Sequence, residues 1–199
     1  LILSLFISSS INFTASLIIL TYFFINLSYS FFLKQFPIID VISISSGFVL
    51  RMLSGTTVVS SSPSSWIFLT TFFLSMFLAF SKRRCELANM PKTGHLNQEQ
   101  RKVLDSYSIP FLDNVMASMM SICIVCYSLY TVSDNVIEKF GNNYLVSTVP
   151  FVVYGMLFYY LKVCSQEMPE DHATALFESK PILIAVILWV LTCALIIYR

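Results

Sequence analysis

Residues 1–33 contain no charged side chain. Lipid tolerates such a run and water does not. A helix that crosses a bilayer needs about 20 mainly apolar residues. Composition extends the point to the whole chain. Of 199 residues, 56% are hydrophobic and 12% charged, and mean hydropathy is +0.76. Soluble domains carry about 25% charged residues, so this chain cannot clothe a water-facing surface. The same numbers exclude disorder. A net charge of +1 excludes a basic nucleic-acid binder, and no nucleic-acid partner is expected.

The apolar runs predict an all-α polytopic membrane bundle forming a single membrane domain over 1–199. Residues 1–11 read as a partial span, and 13–33 as a complete one ending near Lys34. Pro37 opens a third helix at its first turn, running to Val59 with Arg51 inside it. A polar turn at Ser60–Ser65 precedes a fourth span from Trp66 to Ser81. Residues 82–110 read as a polar loop. The remaining spans are 111–133, 144–161 and 181–198, separated by loops at 134–143 and 162–180. The count is one partial and six complete spans. The chain opens Leu1-Ile2-Leu3 without Met or a signal-peptide pattern. The expectation is that it is the C-terminal part of a longer protein.

Basic residues alternate between the two sides. Lys34, Lys82, Arg83, Arg84, Lys92, Arg101, Lys102, Lys162 and Lys180 fall on one side, and only Lys139 and Arg199 on the other. The positive-inside rule makes the first side cytoplasmic. Localisation in a bacterial inner (plasma) membrane is expected, with the active-site loops in the cytoplasm.

Arg51 is the costliest residue to place, because a mid-helix arginine in lipid costs about 2.5–3.5 kcal/mol. Eleven residues separate it from Asp40, which puts both within about 20° of one helical face. Gly47 and Gly55 flank it at four-residue spacing, leaving room for close helix approach or for a ligand. Ligand contact and a structural ion pair both remain open. Lys82, Arg83, Arg84 and Glu86 end the fourth span. Cations there complement the helix dipole, and Arg83 and Glu86 share a face that can bind an anion. Tyr29 and Lys34 close the second span, as an interfacial tyrosine and a snorkelling lysine. Glu167, Glu170 and Asp171 could share a helical face and bind a metal, but with His172 and Glu178 they read rather as a solvated acidic loop, and His95 reads as solvated. Cys123 and Cys126 read as small packing residues, with no zinc site and no disulfide framework.

Taken in order, several stretches resemble the UbiA superfamily of membrane prenyltransferases, in its decaprenyl-phosphate phosphoribosyltransferase branch. They are Tyr29-Ser-Phe-Phe-Leu-Lys34, Pro37-x-x-Asp40, Ser46-Gly-Phe-Val-Leu-Arg51-x3-Gly55 and Ser81-Lys-Arg-Arg-Cys-Glu-Leu87. Tyr107-Ser-x-x-Phe-Leu-Asp113, Pro169-Glu170, Pro181-Ile-Leu and Trp189 complete the set. The resemblance implies nine helices ringed around a cavity open to the cytoplasm and to lipid. It implies phosphoribosyl diphosphate and a polyprenyl phosphate as substrates, joined in a step of cell wall biosynthesis with release of diphosphate. Lys34 and Arg51 would hold substrate phosphate, Tyr29 would line the lipid–phosphate site, and Lys82, Arg83 and Glu86 would occupy the second cytoplasmic motif.

The family's Mg²⁺ site is an N-D-x-x-D-x-x-x-D motif that this chain lacks. The metal ligands are therefore expected outside these residues, and the 199 residues alone are expected to be catalytically silent. A prenyltransferase acting on an aromatic ring is the alternative within the superfamily. The absence of a second aspartate-rich motif near 82–90 argues against it. A non-catalytic membrane fragment or a transporter is the alternative from another class.

Overall fold

A computed structural model describes residues 13–58, 64–93, 103–165 and 179–197, with side chains at 90–93 outside the description. Among the described residues there is no strand. Seven α-helices follow one another: α1 Phe13–Phe31, α2 Ile39–Val58, α3 Ser65–Thr93, α4 Ile109–Thr131, α5 Asp134–Phe140, α6 Val149–Cys164 and α7 Lys180–Ile197. Short 3-10 turns lie at Leu33–Gln35 and Tyr144–Thr148. The molecule is an all-α polytopic membrane bundle. The partial span at 1–11, the turn at 59–63, His95 and the acidic residues 166–178 lie outside the described residues.

The long helices pack neighbour on neighbour: α1 on α2, α2 on α3, α3 on α4, α4 on α6 and α6 on α7. Alternating direction gathers one set of ends together. That end holds the C-termini of α1, α3 and α6 and the N-termini of α2, α4 and α7. Its cross-helix contacts are Asp40 with Arg83 and Arg84 with Asp113 and Val163. The core lies in the middle of the row. Phe77 and Phe80 of α3 meet Leu112, Met116 and Cys123 of α4, with Tyr159 and Val163 of α6. On α4 the buried positions Leu112, Met116, Met120, Cys123 and Tyr127 trace a single helical stripe. Outward residues are large and apolar, among them Phe13, Leu17, Phe24, Leu188, Leu191 and Leu195. This inversion suits lipid.

Three sequence expectations are refined. Among the described residues, five helical segments are long and apolar enough to cross a membrane: Phe13–Phe31, Ser65–Asn89, Ile109–Thr131, Tyr144–Cys164 and Lys180–Ile197. With 20 residues α2 is long enough, but Asp40, Arg51 and a run of Ser and Thr lower its apolarity. Ser43, Ser45 and Ser46 return their hydroxyls to carbonyls one turn back, and Ser54 does so to Arg51, which makes this polarity tolerable in a helix. Secondly, the fourth helix does not stop at Ser81 and give way to a loop. It continues to Thr93, because Lys82–Met90 holds good helix formers and no glycine or proline. Lys82, Arg83 and Arg84 thus sit more than two turns before its end, where the dipole no longer reaches. Thirdly, Asp134–Phe140 is helical, and Gly141 closes it in the left-handed region at φ 68°.

Two further contacts set the opposite end of the row. Trp189 Nε1 donates to the Tyr127 hydroxyl at 2.7 Å, and Tyr127 and Thr148 share a hydroxyl–hydroxyl bond of 2.7 Å. They tie α7 and the second 3-10 turn to α4. All five cysteines are free, and Cys123 and Cys126 are buried packing residues.

Candidate functional site

The buried stripe of α3 repeats through Phe77, Phe80, Ser81, Arg84 and Cys85. Arg84 therefore faces the core, and Arg83, about 100° around the helix, faces α2. There it meets Asp40, whose side chain is 0% exposed. Arg83 Nε donates to Asp40 Oδ2 at 2.8 Å, and Nη1 donates to Glu86 Oε2 at 2.7 Å. Tyr107, in the segment before α4, donates its hydroxyl proton to Asp40 Oδ1 at 3.3 Å. The same hydroxyl accepts from the Ile38 N–H at 2.5 Å. Tyr107 lies outside the membrane-spanning helices, and burial pushes its phenol up to about 12; the Ile38 N–H opposes this and the Asp40 charge adds to it.

Half-buried Tyr29 of α1 lies within electrostatic reach of Arg83. The structure therefore brings three sequence candidates, Tyr29, Arg83 and Glu86, together around Asp40 and Tyr107. Lys34 is exposed on the 3-10 turn that leads into α2, at the same end. Lys82 is exposed on the neighbouring side of α3.

Arg51 is not part of this cluster. Eleven residues of α2 separate it from Asp40, about 16 Å along the axis. Its Nη2 donates to the Tyr22 hydroxyl at 2.5 Å, and its guanidinium lies over the rings of Tyr22 and Phe48, 5.1 and 5.0 Å from their centroids. A Cβ on Gly47 would stand 3.5 Å from the Tyr22 ring, an ordinary contact, so the approach of that ring does not depend on glycine. A Cβ on Gly55 would meet nothing within 4 Å, so the helix is open one turn beyond Arg51.

Sequence reasoning grouped Arg84 with the other cations, but it is a tie between helices. Its Nε donates to Asp113 Oδ1 at 3.0 Å, Nη1 to the Val163 carbonyl at 2.6 Å and Nη2 to the Cys164 carbonyl at 3.0 Å. Those carbonyls belong to the last turn of α6, where the i+4 amide partners of a helix interior are missing. The repeat of Phe77, Phe80 and Arg84 was the signal for this register. Tyr107 was missed as a partner of Asp40, because nothing local connects residues 67 positions apart.

Asp40 and Glu86 do not make a magnesium centre. Asp40 is enclosed, with one oxygen on Arg83 and the other on Tyr107, and Glu86 is committed to the same guanidinium. A cation placed between them would face Arg83 directly. Among the described residues no three His, Cys, Asp or Glu side chains gather as metal ligands. What the arrangement offers is a guanidinium with part of its edge left over from ion pairing. Nε and Nη1 are held by carboxylates, and among the described residues nothing pairs with Nη2. A guanidinium fork is suited to phosphate oxygens.

The chain is 29% identical over 157 residues to the decaprenyl-phosphate phosphoribosyltransferase of Mycolicibacterium smegmatis, covering 75% of this chain and 48% of that protein. It is 32% identical over 134 residues to the protein of the same name from Corynebacterium glutamicum, covering 66% and 39%. It is 28% identical over 138 residues to that of Mycobacterium tuberculosis, covering 69% and 44%. The chain is a relative of the UbiA-like decaprenyl-phosphate phosphoribosyltransferases. It spans less than half the length of these curated relatives. No family model matches it.

Proposed function

We propose that the protein is an integral membrane transferase that joins phosphoribosyl diphosphate to a polyprenyl phosphate, giving phosphoribosyl polyprenyl phosphate and diphosphate. The observation that carries the reading is the Arg83 guanidinium, held by Asp40 and Glu86 with one nitrogen uncommitted, at the end of the bundle where the basic residues gather. The names of the relatives supply the substrates.

In this reading Arg83 Nη2 and the Tyr29 hydroxyl receive an oxygen of the diphosphate, while Lys34 and Lys82 raise the local positive potential. A lipid-phosphate oxygen attacks the ribosyl anomeric carbon. The bond from that carbon to the diphosphate oxygen breaks, and diphosphate departs with the electron pair. Cations already in place stabilise the charge that grows on the leaving group, which is where preorganisation accelerates a reaction. The resemblance implies Mg²⁺ as a further neutralising charge, but no step is assigned to it, since Asp40 and Glu86 are committed to Arg83. Outward apolar surface and the Phe-rich helices accommodate the prenyl tail. The basic end faces the cytoplasm by the positive-inside rule.

The test uses the full-length protein, not these 199 residues alone, in nanodiscs with decaprenyl phosphate and phosphoribosyl diphosphate labelled in the ribose. Label passing into the lipid extract, with equimolar diphosphate released, is the expected result. No labelled lipid, or transfer of a prenyl chain to an aromatic acid from a prenyl diphosphate, would overturn the reading.

A further inference from the structure

The connection between α1 and α2 contains a strained residue. Ile38 has φ +69°, the one non-glycine residue in the left-handed region among those described. A β-branched side chain rarely adopts it, because its Cβ crowds the backbone. The Ile39 N–H donates back to the Pro37 carbonyl at 2.8 Å. A bond over three residues with positive φ at the centre is the rare, strained form of the γ-turn. This turn aims the Ile38 N–H at the Tyr107 hydroxyl, and two residues later the chain delivers Asp40 to the same hydroxyl. Tyr107 is itself fixed, stacked on Phe111 with ring centroids 6.0 Å apart, one turn into the Ser108-capped α4.

We infer that Tyr107 is a positioning residue: its hydroxyl, pinned by the Ile38 turn, fixes the Asp40 carboxylate so that Arg83 presents its uncommitted Nη2 edge to a substrate phosphate. Asp40 uses Oδ1 for Tyr107 and Oδ2 for Arg83, so the two bonds meet on one carboxylate plane. With the phenol present both carboxylate oxygens are engaged, which restrains the plane and the guanidinium bound to it. Without the phenol, Oδ1 loses its partner and the carboxylate is free to turn about its terminal torsion, which is broad for aspartate. Glu86 alone does not hold Arg83, because an i,i+3 pair between two long side chains on one helix leaves each of them rotatable. Strain at Ile38 is explained by the same device: it is retained where surrounding contacts over-determine it. The inference rests on the transferase reading only for what Arg83 receives; the fixing of Asp40 is a property of the fold.

Nitrogen-15 NMR of the arginine-labelled protein in nanodiscs tests it, since the chain has only five arginines. Arg83 is assigned by its loss in Arg83→Lys. In the wild type the Arg83 Nε–H should exchange slowly with water. Tyr107→Phe keeps the stacked ring and removes the hydroxyl, and should speed that exchange about tenfold, the effect of losing one modest hydrogen bond. The Arg84 Nε–H, bound to Asp113 on another face, should not change, which separates a local loss of positioning from a damaged fold. Unchanged Arg83 exchange in Tyr107→Phe, or equal acceleration at Arg84, overturns the inference. Titration with sodium diphosphate is the separate arm. A shifted Arg83 signal in the wild type, weakened in Tyr107→Phe, supports the anion-facing edge. An Arg83 signal that never responds counts against the transferase reading, while the exchange data still decide the positioning.

Discussion

Arg83 and Arg84 are adjacent in sequence yet bind different helices. Arg83 pairs with the buried Asp40 of α2, whereas Arg84 reaches Asp113 of α4 and two carbonyls at the end of α6. One step around α3 separates a guanidinium with a spare edge from one whose three nitrogens are all engaged. The first is suited to a ligand and the second to holding the bundle together.

Substitution at Arg84 should therefore cost folding rather than ligand binding. Its side chain is 5% exposed and serves acceptors on two helices. Lysine has no planar fork and cannot reach all three acceptors at once. Arg84→Lys is expected to lose about 2–4 kcal/mol, since acceptors in a buried site go unpaired. The check is the thermal midpoint of detergent-solubilised protein, followed by size-exclusion fluorescence. Arg83→Lys should melt much nearer the wild type and lose diphosphate binding instead. Equal midpoints for the two variants would contradict the division of roles.

Asp40 should behave as half of a buried pair. Breaking such a pair from one side costs about 3–5 kcal/mol, because it strands a charge. Arg83 is the stranded partner, although Glu86 remains beside it, so Asp40→Asn is expected at the lower end of that range. The double variant Asp40→Asn with Arg83→Gln should regain part of the loss, as residues in contact are not additive. A full double-mutant cycle by chemical denaturation in mixed micelles measures this. Strict additivity would mean that the 2.8 Å contact carries no coupling.

Sequence reading located the elements better than it located their partners. Apolar runs such as 13–33, 111–133 and 181–198 announce spans because lipid requires about 20 apolar residues, and their helices end within a few residues of those limits. Lys82–Met90 was misread because charge suggested a loop. Charge is compatible with helix wherever propensity favours it, and this segment has no breaker. The Arg83–Glu86 pair was legible from its spacing of three. Asp40 with Tyr107 was not, because helix packing brings together residues that no local period relates. Arg51 was conspicuous as a charge, but its two aromatic neighbours, Tyr22 and Phe48, could not be inferred from its own helix alone.

Arg51→Ala is expected to leave membrane insertion intact and, if Arg51 holds substrate phosphate as the family resemblance implies, to abolish or strongly reduce transfer. A mid-helix arginine opposes insertion by about 2.5–3.5 kcal/mol, so its removal cannot harm that step. In the fold it holds only the Tyr22 hydroxyl and two ring faces, with no carboxylate among the described residues. Such contacts contribute about 1–2 kcal/mol together, too little to unfold the bundle. Comparing membrane-fraction abundance with lipid-labelling rate separates the two effects. Wild-type transfer by Arg51→Ala would remove this residue from the functional machinery.

Tyr107 should also leave an alkaline signature. Its phenol is pushed up to about 12 from an ordinary value of 10, chiefly by burial, while the neighbouring Asp40 carboxylate adds to the rise. The fold therefore favours the neutral phenol over the phenolate. Relative to the unfolded chain, the resulting stabilisation is whole below about pH 10 and disappears as pH climbs through about 12. Spectrophotometric titration of wild type and Tyr107→Phe should differ by one tyrosine ionising near pH 12. Asp40→Asn removes the adjacent negative charge and should bring that step to lower pH, although burial still holds it above 10. The wild-type thermal midpoint should fall more steeply than that of Tyr107→Phe between pH 10 and 12, and the two curves should run parallel below pH 9. If the difference spectrum places the missing tyrosine at pH 10, Tyr107 is solvated, and the bond to Asp40 does not exist in the membrane-embedded protein.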